Sequence, residues 1–151
     1  MTQSSPAPST QPAALTEPAD ALLRAVPPQV VQSIRAFRIP ELQQAAVASG
    51  QHFLYAHLAQ AHTRAEVLEQ VGQQFHFPPH YGKNFDALYD CLTDSLHNAG
   101  QQPGFVVVLD QVPLTAKFDK DLREQFIDCF RDAADFWGEH QVSFRCFYSY
   151  R

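Results

Sequence analysis

Three aspartates spaced four apart, Asp86, Asp90 and Asp94, stand in the segment FPPHYGKNFDALYDCLTD that runs from Phe77 to Asp94. Wound as a helix over Phe85–His97, they share one side with Tyr89, Thr93 and His97 between or beside them, while Phe85, Leu88, Leu92 and Leu96 gather opposite. Like charges four apart cost a helix about 0.2–0.5 kcal/mol per pair, so helix stability does not explain the row. Asn84 is a good N-cap and places Asp86 in the first turn, where the helix dipole favours an acid. Asp90 gains little from that field, and Asp94 sits toward the end that disfavours negative charge. A solvated face is the ordinary reading of charged residues on a helix. Carboxylates held in a rigid row around a tyrosine are also suited to gripping the Arg and Lys side chains of a partner.

Other chemistries find less support. Seven histidines invite a metal, but His52 and His57 lie five apart in a strand-like run and so point to opposite faces. No HxxxH or HxH pair with nearby acids falls on a helix, and no metal or cofactor is expected. Cys91, Cys129 and Cys146 are odd in number and widely separated, which reads as reduced, buried thiols. No Gly-rich loop is present to cradle phosphates. His80 and Asp86 could be drawn as an acid–base pair, yet a single His in a polar turn is more often a contact or a cap. No enzymatic activity is expected.

The 151 residues suit one domain with a proper core, and 45% apolar content with twelve phenylalanines supports a packed globule. No apolar run reaches membrane-spanning length, and MTQSSPAPST lacks the basic and apolar regions of a secretory signal. A cytoplasmic protein is expected, with monomer as the default state. Residues 1–50 carry three acids and three arginines, whereas residues 51–151 carry thirteen acids against eight bases, so the net charge of −5 belongs to the later part. That balance argues against nucleic acid as a direct partner and for attraction to a basic protein.

Residues 1–19, rich in Ser, Thr, Pro, Gln and Ala, read as a disordered tail. Residues 20–50 read as an N-terminal extension with short helices: an amphipathic piece broken by Pro27-Pro28, a helical turn or two over Val30–Phe37, and a helix over Glu41–Ser49 begun by Pro40 and stopped by Gly50. Residues 51–151 form the main domain. His52–Leu58 reads as a buried strand, Thr63-x-x-Glu66 as a capping box, and Val67, Val71 and Phe75 as the core stripe of the helix that follows. The acid-bearing helix runs from Phe85 to His97 and closes at Asn98-Ala99-Gly100. Phe105–Leu109, FVVVL, has the continuous β-branched character of a strand covered on both faces. A short helical turn after Pro113, a helix over Lys120–Gly138 with Asp128, Asp132 and Asp135 on its outer side, and a strand over Gln141–Tyr148 complete the chain. Strands separated by helical crossovers imply an α/β fold with a small three-stranded parallel sheet covered by about four helices.

The pattern Tyr81-Gly82-x-Asn84-x-Asp86-Ala87-Leu88-x-Asp90-Cys91-Leu92-Thr93 resembles the signature segment of the barstar family, small intracellular inhibitors of microbial ribonucleases. It fixes about ten residue types in thirteen positions, and a weaker likeness extends over roughly Gln51–Ser149. The resemblance implies the same three-stranded fold. It also implies that Asp90 is the central anchor for the cationic groups of a ribonuclease, with Asp86 one turn earlier pairing a second Arg or Lys. Gly82, Asn84 and Thr93 would add polar or backbone contacts, Tyr89 an aromatic contact and Asp132 a peripheral acid. The loop from His80 through Tyr81 would complete the face. Three positions depart from the family pattern: His80 and Ser95 stand where aromatics would be, and Lys83 stands where an acid would be. The implied partner is a basic, extracellular-type microbial ribonuclease. The alternative on the same residues is a non-inhibitory interaction module whose acid face binds another basic protein.

Overall fold

A computed structural model describes residues 21–151, apart from Ala36, Pro79, His80, Ala99 and the side chain of Ser95. The tail expected to be disordered lies outside the described residues, as does His80. Among the described residues four parallel strands form one sheet: β1 (Gln29–Ser33), β2 (His52–His57), β3 (Phe105–Val112) and β4 (Phe144–Tyr150), in the order β1-β4-β3-β2. Around it lie α1 (Ile39–Ala48), α2 (Arg64–Gln74), α3 (Phe85–Leu92), α4 (Asp94–Asn98) and α5 (Lys120–Glu139), with a 3-10 turn at Ala116–Phe118.

The α/β class and parallel sheet agree with the sequence reading, but the strand count does not. The fourth strand is β1, cut from the segment Val30–Phe37 that the sequence suggested was helical. Two β-branched residues, Val30 and Val31, follow Pro27-Pro28 and favour a pleated strand. The outer edge of β4 then supplies hydrogen-bond partners: Phe144 N–H donates to the Pro28 carbonyl at 2.7 Å and Ile34 N–H to the Tyr148 carbonyl at 2.9 Å. Backbone pairing decided what side-chain pattern left open.

Central strand β3 is buried on both faces, as FVVVL requires. Phe105, Val107 and Leu109 enter the larger core with Val67, Leu88, Phe126, Phe130 and Trp137, beneath α2, α3 and α5. Val106 and Val108 enter a second core with Phe147 and with Leu42, Ala45 and Ala46 of α1. Leu23 and Val26 seal that side. Arg145 of β4 is 92% buried there, and its Nε and Nη2 both donate to the Val26 carbonyl, at 3.2 and 3.1 Å. Burial lowers the pKa of this guanidinium, and its hydrogen bonds fasten the chain before β1 to the sheet.

The helix ends follow local chemistry. Thr63 Oγ1 accepts from Glu66 N–H at 3.1 Å and opens α2. Gly50, at φ +69°, ends α1 in the left-handed region. At the outer edge of β2, the Gln74 side-chain amide accepts from His57 N–H at 2.7 Å and donates to His57 C=O at 2.9 Å. It stands where a neighbouring strand's peptide group would be.

On the same strand, Tyr55 O–H donates to Asp110 at 2.6 Å, and burial followed by that hydrogen bond pushes its phenol up to about 12. Tyr81, Tyr89 and Tyr150 are also shifted upward, chiefly by burial. A phenol whose folded pKa exceeds the unfolded value of 10.0 contributes stability below that pH and loses it as pH rises through the folded value. Urea-unfolding midpoints should therefore fall as pH rises above about 10, while tyrosinate absorbance of the native protein lags that of the unfolded chain. Coincident native and unfolded titrations would contradict the burial of these rings.

Candidate functional site

Helix α3 starts at Asn84, whose Oδ1 accepts from Ala87 N–H at 2.7 Å. This cap fixes the helix phase so that Leu88, Cys91 and Leu92 face the core while Asp86 and Asp90 are exposed. The sequence suggested one helix to His97, but α3 stops at Leu92. Thr93 leaves helical geometry at φ −123° and ψ −86°, and its hydroxyl donates to the Tyr89 carbonyl at 2.7 Å. Trp137 Nε1 of α5 donates to the Leu92 carbonyl at 2.8 Å and caps the broken end. Thr93 is fully buried, so its side chain shapes the site from beneath.

That break removes Asp94 from the acid row and makes it the first residue of α4. A different set of acids takes its place. An open groove of about 550 Å³ runs between α3 and α5, floored by Phe85, Tyr89, Cys129 and Phe136. Its polar wall is made of Asp86 and Asp90 from α3 with Asp132, Asp135 and Glu139 from α5. Sequence reading placed Asp86, Tyr89, Asp90 and Asp132 among the site residues, and the structure brings these four together. It missed Glu139 at the groove and counted Asp135 only as part of an outer face; their spacing from Asp132 at i+3 and i+7 was the available signal.

The cations near the groove are committed elsewhere. Lys83 Nζ lies 3.1 Å from Glu69 of α2, so the positive charge that departs from the family pattern is tied back to the body of the protein. Arg131 lies 2.8 Å from Asp128. Among the described residues, no ion pair engages Asp86, Asp90, Asp132, Asp135 or Glu139. Burial, then the charges of Asp132 and Asp94, push the Tyr89 phenol upward. Burial and then Asp132, Asp128 and Asp86 raise the Cys129 thiol to about 12, which leaves it protonated and a poor nucleophile. The arrangement offers a negative surface with an aromatic floor.

The loop before α3 is held by packing. Tyr81 lays its ring over Gly72 of α2, where an added Cβ would meet Cδ2 and Cε2 of the ring at 2.7 Å. Phe77 packs edge-on against the same ring at a centroid distance of 5.1 Å. The Tyr81 hydroxyl is buried with no hydrogen-bond partner among the described residues. Gly82 and Asn84 are exposed beside it, and His80 falls outside the described residues.

Among described residues no group of three or more His, Cys, Asp or Glu is placed to hold a metal ion. No helix among them is long and apolar enough to cross a membrane. Comparison with protein families finds a match over residues 51–149 to the family described as Barstar (barnase inhibitor). The curated proteins hold no match to the chain.

Gly72→Ala tests the seat of the loop. Alanine normally gains up to about 1 kcal/mol over glycine inside a helix. Here displacement of Tyr81 costs about 1–3 kcal/mol, so a net loss is expected in urea unfolding. A net gain would show that the ring does not rest on Gly72.

Proposed function

Because the chain belongs to the barstar family, we propose that it inhibits a basic, extracellular-type microbial ribonuclease by filling the enzyme's phosphate-binding cleft with the carboxylates of α3 and α5. The observation that carries this reading is the groove itself: five carboxylates on one surface, with the neighbouring cations paired away from it. A ribonuclease cleft is lined by Arg, Lys and His that hold phosphates. Carboxylates at those positions form charge-assisted, often bidentate, bonds with the same cations and present no ester to cleave.

In this reading Asp90 is the central anchor and Asp86 pairs a second cation. Tyr89 packs its ring against the enzyme between them, and Asp132, with Asp135 and Glu139, extends the negative surface along α5. The loop from Tyr81 and Gly82 to Asn84 forms the rim, and buried Thr93 holds the end of α3 that presents Tyr89 and Asp90. The protein acts by occupancy, with no chemical step and no cofactor. It acts as a monomer in the cytoplasm, where a ribonuclease made for export would otherwise attack the cell's own RNA. The negative field of residues 51–151 also steers a basic partner into contact, an effect that fades as salt screens it.

Partners captured from lysate at about 50 mM and about 500 mM salt by wild type and by the Asp86→Ala/Asp90→Ala double variant identify the target. A basic ribonuclease retained by wild type and lost by the double variant is the expected result. Against that enzyme, Asp90→Ala should weaken binding by about 2–5 kcal/mol, a scale established on a member of this family with its ribonuclease. An affinity within about threefold of wild type would sink the assignment of Asp90 as anchor, since threefold is only about 0.7 kcal/mol. A non-nuclease partner lost in the same way would favour a binding module without inhibition.

A further inference from the structure

Beyond the acid groove, α4 and α5 end beside one another and bring together two histidines that no sequence motif links. His97 lies in the last turn of α4, and His140 caps the C-terminus of α5. Their ring centres are 4.5 Å apart with planes tilted by 54°. Both are exposed at an open cavity of about 610 Å³ that also includes Trp137 and Gln102.

His140 Nδ1 stands 2.8 Å from the Phe136 carbonyl. A carbonyl oxygen can only accept, so Nδ1 carries the proton and Nε2 of the neutral ring keeps its lone pair. A ring N–H given to a backbone carbonyl is the outer-shell arrangement that orients histidine ligands of metals. Phe136 braces the same ring at a centroid distance of 4.5 Å and meets His97 edge-on at 5.8 Å. Among the described residues no hydrogen bond engages either ring nitrogen of His97.

We propose that His97 and His140 form a two-imidazole site for a divalent transition-metal cation, Cu²⁺ ahead of Ni²⁺. A ring nitrogen about 2.0–2.1 Å from a metal puts the ring centre about 3.2 Å away. Two such rings at about 90° then have centres about 4.5 Å apart, against about 5.2 Å for tetrahedral binding. The observed 4.5 Å lies within the reach of one shared ion, and two imidazoles completed by water oxygens are a donor set suited to the tetragonal geometry of Cu²⁺ and Ni²⁺. Because no third protein ligand converges among the described residues, water completes the coordination. The carboxylates of Asp135 and Glu139 in the adjoining groove raise the local concentration of cations. The site stands independently of ribonuclease inhibition.

Titration of the full chain with CuCl₂ and NiCl₂, followed by calorimetry and by electron paramagnetic resonance for copper, tests it. Expected are a site with two-nitrogen coupling in the copper spectrum and an affinity order of Cu²⁺ above Ni²⁺ above Zn²⁺. His97→Ala and His140→Ala should each weaken the site about tenfold or more, because either removes the chelate, while His62→Ala leaves it unchanged. Both histidines are exposed, and matching circular dichroism spectra establish that the variants are folded. Wild-type copper affinity in either alanine variant, or coupling to a single nitrogen, would overturn the proposal.

Discussion

One buried hydrogen bond, from Trp137 Nε1 to the Leu92 carbonyl at 2.8 Å, sets the relation between the two helices that make the site. A broken helix end exposes carbonyls that need donors, and an indole can donate only if its ring is already inside the core. Both demands are met at one place. Trp137 is 99% buried, and its ring packs on Phe105 of the central strand at a centroid distance of 5.0 Å. The sheet thus positions α5, and α5 in turn holds the end of α3. At the other end, Cys129 Sγ approaches the Phe85 carbonyl at 3.7 Å. Leaving the Leu92 acceptor without a partner would cost about 1–3 kcal/mol, a large share of the stability of a domain this size.

Electrostatics takes advantage of that rigid pairing. Carboxylates gathered on adjacent helices repel one another, and folding tolerates them because the groove is open to water. The repulsion turns into attraction when a cationic surface approaches. Lys83 illustrates the other half of the design. Its Cα sits in the left-handed region at φ +56°, unusual outside glycine, and its side chain reaches back to Glu69. By sequence alone it places a positive charge in the loop before α3; in space that charge is drawn toward α2.

What could be read from the sequence was whatever is local. The Asn84 and Thr63 caps, the FVVVL strand and the alternation of Asp86 and Asp90 with Leu88 and Leu92 each depend on a few neighbouring residues, and each appears in the structure. What could not be read depends on distant partners. β1 is a strand because β4 offers an edge more than a hundred residues away in sequence. The helix ends at Thr93 because Trp137 and the Tyr89 carbonyl make that end favourable, while the apolar spacing continues through Leu96 unchanged. The spacing of Glu139 from Asp132 was legible, but that this face of α5 meets α3 depends on the angle at which the two helices pack. The His97–His140 contact is invisible for the same reason.

The fastening of the first strand has a consequence for where the domain truly begins. The span shared with the family starts at residue 51, yet β1, α1 and the residues held by Arg145 precede it. A chain trimmed to that span would keep every carboxylate of the groove. It would also bare Val106, Val108 and Phe147, return the Arg145 guanidinium to water without the carbonyl it now holds, and leave β4 as an open parallel edge. Naked edges and exposed β-branched surface recruit other chains. The described part of the segment before residue 51 is therefore the cover of the sheet's second face and of its β4 edge, and the groove can be complete while that cover is missing.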